Sequence, residues 1–178
     1  IFGGGYGENT HVTGDVTVNI GADTGVGYAN ITGDVYGGSA KGKVNSHLVS
    51  SVETATEGKT THVNLYGGSI SGNLYGGGLG ETEHAADVYG AVIVNVDGGN
   101  VNNVFGCNNV NGMPKSTVDV EIGTKIGAEA PYTYSGTGTI SGSVYGGGRD
   151  AACTGSPTVK LYKGTVNNNV YGGGLGAT

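Results

Sequence analysis

Tryptophan is absent, and arginine and methionine occur once each, as Arg149 and Met113. Charged residues make up 12% of the chain, about half the usual share of roughly 25%. A disordered, solvated chain carries more charge and fewer β-branched residues, so the low charge argues for a packed fold. The net charge is −6 with no basic run, which excludes recognition of a nucleic-acid backbone. No apolar stretch approaches the roughly 20 residues of a membrane helix, so no membrane insertion is expected in this segment. There are two cysteines, Cys107 and Cys153, too few for a disulfide scaffold. They sit at different phases of adjacent repeats, so a bridge needs a loop to fold back. Two inert thiols are the simpler reading, and the bridge stays open.

Catalytic motifs are missing as well. The sequence has no Gly-x-Ser-x-Gly elbow and no phosphate-binding loop with its Lys-Ser or Lys-Thr end. His11, His47, His62 and His84 fall in different repeat phases and form no ligand spacing. Polysaccharide lyases and hydrolases need acids clustered with Arg or Lys on one face. Here Arg149 adjoins Asp150 alone, with no second acid at a matching position. Glu81, Glu83, His84 and Asp87 crowd one loop, as metal ligands do. That loop lacks the Gly-Gly-x-Gly-x-Asp calcium repeat, and a solvated acidic loop accounts for it, so neither metal nor cofactor is expected. Asp119, Glu121 and Lys160 read as a surface charge pairing of little energetic weight.

What is abundant is glycine, at 39 of 178 residues, together with Val, Ile, Thr and Tyr, which favour strands. The glycines recur in a fixed phrase of hydrophobic, aromatic, glycine. It reads Ile1-Phe2-Gly3, Val35-Tyr36-Gly37, Leu74-Tyr75-Gly76, Val104-Phe105-Gly106, Val144-Tyr145-Gly146 and Val170-Tyr171-Gly172. The aromatic positions are spaced 34, 39, 30, 40 and 26 residues apart. A fixed phrase at variable spacing predicts a constant repeat carrying insertions, chiefly residues 40–61, 79–91 and 123–139. The chain opens and closes inside copies of this phrase, so residues 1–178 are expected to be a single segment of a longer array.

A second phrase alternates: Val16-Thr17-Val18-Asn19-Ile20, Val63-Asn64-Leu65, Val92-Ile93-Val94-Asn95-Val96, Val118-Asp119-Val120-Glu121-Ile122 and Val159-Lys160-Leu161. Period-two alternation marks a strand with one buried face. Val18, Val63, Val94, Val120 and Val159 should therefore form one buried column, with Ile20, Leu65, Val96, Ile122 and Leu161 beside it. A third short strand leads into the aromatic phrase, as in Ile70-Ser71-Gly72-Asn73-Leu74 and Ile140-Ser141-Gly142-Ser143-Val144. Its middle position holds Gly or Asn, the residues that tolerate a left-handed backbone, which predicts a corner there. The glycines after the aromatic predict a second corner.

These observations predict an all-β fold, a right-handed parallel β-solenoid (β-helix) of about five stacked coils with loop insertions. Two columns are the candidate functional features. Phe2, Tyr36, Tyr75, Phe105, Tyr145 and Tyr171 form an aromatic ladder, either a platform for sugar rings or an inter-coil stack, with stacking the simpler reading. Asp34, Asn73, Asn103, Ser143 and Asn169 form a polar ladder that caps turns.

The phrases Ile-Ser-Gly-Asn-Leu-Tyr-Gly-Gly-Gly and Val-Asn-Asn-Asn-Val-Tyr-Gly-Gly-Gly resemble the glycine-tyrosine solenoid repeats of bacterial surface proteins. They are broadly similar to adhesin and autotransporter-passenger β-helices. The resemblance implies export to a cell surface or an extracellular fibre, and a non-enzymatic structural or adhesive role. It implies partners that are further repeats, other copies end to end, or glycans. A polysaccharide-binding or polysaccharide-degrading module, and a phage-type fibre of three associated solenoids, are the alternatives.

Overall fold

The computed structural model of the chain describes residues 1–21 and 29–176. Among them every regular element is a β-strand and no helix forms. The composition dictates this, because glycine costs roughly 1 kcal/mol per residue in a helix while β-branched side chains suit a pleated surface.

Three five-stranded sheets carry the architecture. The alternating phrase builds the first, from Val16–Ile20, Thr60–Leu65, Ala91–Val96, Val118–Ile122 and Pro157–Leu161. Short strands build the second, from Asn30–Ile31, Ser69–Ile70, Asn100–Val101, Thr139–Ile140 and Thr165–Val166. The aromatic phrase builds the third, from Val35–Tyr36, Leu74–Tyr75, Val104–Phe105, Val144–Tyr145 and Val170–Tyr171. In each sheet the strands lie in chain order and all neighbours are parallel. Each repeat thus contributes one strand to each sheet.

The register is the one the alternation predicts. Val18, Val63, Val94, Val120 and Val159 pair in sequence across the first sheet, and so do Ile20, Leu65, Val96, Ile122 and Leu161. Inward residues of all three sheets form one apolar core, with Val35, Leu74, Val104 and Val144 fully enclosed. Two members of the first-sheet columns depart from the expected burial. Val159 is half-buried and Leu161 is 53% exposed. Both belong to Pro157–Leu161, one of the two edge strands of its sheet, and have a stacked neighbour on one side alone. Proline begins that strand, at a position where a missing N–H disrupts no inner ladder.

The expected insertions prove to be more than loops. Residues 40–61 carry the antiparallel hairpin Ser46–Val49 with Val52–Ala55, turning at Ser50 and Ser51, both with positive φ. Residues 123–139 carry a second hairpin, Thr124–Ile126 with Thr133–Ser135. A fourth parallel column also runs through segments 40–61 and 79–91. His11–Val12 pairs with Lys43–Val44, and Val44, Val88 and Pro114 bridge in turn. Val44 and Val88 are fully enclosed, so the segments 40–61 and 79–91 supply part of the core. Single apolar residues among polar ones leave no periodic trace of this column. Buried Asn45, at φ 58°, ties the hairpin to the first sheet. Its Nδ2 donates to the Gly14 and Thr60 carbonyls, and its Oδ1 accepts from Thr61 Oγ1 at 2.7 Å.

The glycine corners differ from expectation in their cause. None of Gly33, Gly72, Gly142 or Asn168 is left-handed; positive φ falls instead at Gly68, Gly99 and Gly164, just before the short strands. After the aromatic, glycine serves close approach. A Cβ at Gly76 or Gly106 would strike the carbonyl of the next repeat's glycine and the valine methyls of the first sheet.

Candidate functional site

The aromatic phrase places its hydrophobic residue inward and its ring on the opposite face. There Phe2, Tyr36, Tyr75, Phe105, Tyr145 and Tyr171 stack in one unbroken column, with centroids 4.7–5.0 Å apart and planes within 10° of parallel. Strand spacing sets that distance, since in-register parallel strands lie about 4.8 Å apart. Tyr36, Tyr75, Phe105 and Tyr145 are buried, and Leu79 packs against them. Each ring face is taken by its neighbour, so these four rings offer no open face to a sugar. Tyr171 at the sheet edge is 44% exposed.

The phenol tips meet polar side chains. Tyr36 Oη donates to Asp34 Oδ2 at 3.0 Å and accepts from Asn109 Nδ2 at 2.8 Å. Asn73 Nδ2 donates to Tyr75 Oη. Burial, reinforced by the Asp34 charge, pushes the Tyr36 phenol well above its ordinary range and Tyr75 up to about 12. Both hydroxyls therefore stay protonated at neutral pH and are poor nucleophiles or bases. Arg149 lies by the Tyr75 hydroxyl, whose hydrogen bond pushes the guanidinium pKa still higher. Its nearest acid is Asp150, at 3.8 Å.

The polar column is a chain of hydrogen bonds from one repeat to the next. Asp34 Oδ1 accepts from the Asn73 N–H at 2.7 Å, and Asn73 Oδ1 accepts from Asn103 Nδ2 at 2.9 Å. Asn103 Oδ1 accepts from the Ser143 N–H at 2.8 Å, and Ser143 Oγ from the Asn169 N–H at 3.3 Å. The side chains of Asp34 and Asn103 fill the space that a Cβ at Gly72 or Gly142 would need, which explains glycine beside this column. Asn103→Ala is expected to lower stability by about 1–2 kcal/mol, by stranding the Ser143 N–H. Asn103→Ser, which keeps an acceptor of the kind Ser143 offers one repeat on, should lose less. Urea denaturation of both variants checks this, and equal stability of Asn103→Ala and wild type would make the column ornamental.

A second amide column, not singled out in the sequence, runs along the outer face of the first sheet. Asn64 Nδ2 donates to Asn19 Oδ1 and Asn95 Nδ2 to Asn64 Oδ1, each at 2.8 Å. Its signal was the asparagine shared by Val-Asn-Ile, Val-Asn-Leu and Val-Asn-Val. Glu121 and Lys160 continue the column in register. Lys160 Nζ reaches Glu121 at 2.8 Å and Asp119 at 3.1 Å, and the Glu121 hydrogen bond, then that of Asp119, raises its pKa.

The acidic loop disperses. Glu81 pairs with Lys41 at 3.0 Å, His84 with Glu8 at 2.9 Å, and Asp87 with Lys115 at 3.2 Å. Among the described residues no three His, Cys, Asp or Glu side chains form a group suited to a metal ion. His11 pairs with Glu53 and His47 with Thr56, far from one another in role. The inert-thiol reading of the cysteines is corrected: Cys107 and Cys153 form a disulfide. The segment between the third and first sheets, Gly148–Thr154, brings Cys153 back onto the core beside buried Cys107. Comparison with known protein families, curated proteins and solved structures finds no match for this chain.

Proposed function

We propose that the chain is a right-handed parallel β-solenoid of about five coils. Its role is that of a non-enzymatic structural and adhesive repeat outside the cell, in a surface stalk or fibre. One observation carries this reading. Every repeat adds one strand to each of three parallel sheets in unbroken register, so the molecule extends along one axis by adding like units. Right-handedness follows from the preference of parallel crossovers, about 98% of cases. The stacked rings and amide columns run along the same axis and resist shear between repeats. A disulfide favours an oxidising compartment.

The edge strands direct assembly. Pro157–Leu161, Thr165–Val166 and Val170–Tyr171 leave one side of each sheet unpaired, with Leu161, Val170 and Tyr171 exposed there. An unpaired edge of this kind is a template for another strand. Its natural occupant is a further repeat, of the same chain or of a second copy added head to tail. The 178-residue chain is expected to form concentration-dependent end-to-end multimers in sedimentation, seen as thin filaments by electron microscopy. A monomer that persists at high concentration with these edges open to water would overturn the assembly. Reducing or unsaturated ends released from a polysaccharide panel, and abolished by Arg149→Ala or Asp150→Ala, would overturn the non-enzymatic role.

A further inference from the structure

The residue that follows each long strand defines a separate column on the surface. Backbone hydrogen bonds place it: Tyr66 N–H donates to the Ile20 carbonyl, Asp97 to Leu65, Gly123 to Val96, and Tyr162 to Ile122, at 2.8–3.0 Å. Tyr66, Asp97, Gly123 and Tyr162 are therefore successive members, and the two tyrosines stand three strand spacings, about 14 Å, apart. At the glycine the second hairpin leaves the sheet, and its return strand crosses back over it. Gly123 and Gly136 both have positive φ, and a Cβ at Gly136 would lie 2.7 Å from Gly123 Cα. The crossing opens a pocket of about 330 Å³ lined by Tyr66, Asp97, Thr124, Ser135, Gly136 and Thr137. Beyond it, Tyr134 of the hairpin stacks on Tyr162 at 5.9 Å and is 45% exposed.

The chemistry of this groove is specific. Asp97 is held by Thr124, whose Oγ1 donates to Oδ1, and by the Thr137 N–H, which donates to the Asp97 carbonyl at 2.7 Å. Among the described residues no lysine, arginine or histidine pairs with this carboxylate. A carboxylate has about four acceptor sites and Thr124 fills one, which leaves capacity for a ligand's hydroxyl donors. Tyrosines at both ends give apolar ring surface with a polar tip. Thr124, Ser135 and Thr137 line the space beside Asp97. Ring surface for C–H faces, a fixed acceptor for paired hydroxyls and an open cleft match an uncharged sugar chain. The negative charge disfavours uronates and sialylated chains.

We propose that this groove binds a neutral oligosaccharide, with Asp97 accepting from sugar hydroxyls and Tyr66 packing against a ring. The inference rests on the adhesive half of the proposed function and gives it a place on the molecule. The aromatic ladder singled out in the sequence is not this site. The test titrates the wild-type chain with uncharged oligosaccharides of glucose, galactose, mannose and N-acetylglucosamine, followed by amide NMR. At least one sugar is expected to bind, with shifts centred on Thr124 and Thr137. Asp97→Asn and Tyr66→Ala should each weaken that binding about tenfold or more, while Asp119→Asn on the first sheet leaves it unchanged. No sugar bound by the wild type, shifts centred elsewhere, or full binding by both variants would overturn the proposal. So would a lysine-rich peptide that occupies the groove and is not displaced by sugar. Each of these outcomes leaves the stalk reading intact, because sedimentation and microscopy decide it independently.

Discussion

Tyr75→Ala is expected to lower the stability of the chain by about 3–5 kcal/mol, the range for emptying a buried aromatic site. Tyr75 is fully enclosed between Tyr36 and Phe105, with ring centroids 4.9 Å away on both sides. Alanine would remove two ring stacks and leave a hole that the strands cannot close, because the backbone register on either side fixes their spacing. Tyr75→Phe should lose much less, about 1–2 kcal/mol, since its hydroxyl accepts a long bond from Asn73 at 3.4 Å and meets the solvent-exposed Arg149. Phenylalanine already stands at the neighbouring position 105. Tyr171→Ala should lose much less than Tyr75→Ala, because Tyr171 stacks on one side and is 44% exposed. The position along the array matters too: a break at an interior repeat uncouples the repeats on its two sides, so the denaturation curve of Tyr75→Ala should also broaden. Chemical denaturation of the three variants measures all of this. Equal losses for Tyr75→Ala and Tyr171→Ala would show that the rings are not a cooperative stack.

The parallel sheets and their pairing were legible in the sequence because each depends on a repeated local pattern. The alternation of Val118-Asp119-Val120-Glu121-Ile122 assigns the inward face, and aligning it with the other copies assigns register, as the pairing of Val94 with Val120 shows. The polar column was legible for the same reason: Asp34, Asn73, Asn103, Ser143 and Asn169 occupy one phase of one phrase. What escaped were contacts between segments of unlike sequence. Val44, Val88 and Pro114 share a column with no phrase in common. Tyr66, Asp97, Gly123 and Tyr162 share one in which no two neighbours have similar side chains. The disulfide escaped because it depends on how a segment of irregular backbone returns to the core. Patterns report the repeated backbone, whereas the groove is made where one repeat differs from the next.

The glycine phrase separates two physical causes that a sequence alone presents as one. Glycine is required where φ is positive, and also where another chain segment occupies the place of Cβ. Gly106 belongs to the second kind. A Cβ there would lie against the Gly146 carbonyl, 2.7 Å from Val118 Cγ1 and 3.0 Å from Val120 Cγ2. None of these atoms has room to retreat. The Gly146 N–H is bound to the Tyr171 carbonyl and the Gly106 N–H to that of Tyr145, each at 2.9 Å, while both valines are fully enclosed. Gly106→Ala is therefore expected to lower stability by about 1–3 kcal/mol, and Gly106→Val, which adds two more methyl groups at the same place, by about 3 kcal/mol or more. Gly33 is the control. The sequence pattern reads it as a corner, but its φ is not positive and nothing lies within 4 Å of its Cβ position. The corresponding glycines 72 and 142 are crowded by Asp34 and Asn103, and no column member lies over Gly33 in the same way. Gly33→Ala should be neutral or stabilise by about 0.4–1 kcal/mol, through the reduced freedom of the unfolded chain. Denaturation midpoints of the three variants decide between the causes. If Gly33→Ala proves as damaging as Gly106→Ala, the corners are conformational after all, and close packing between repeats is not what the glycines protect.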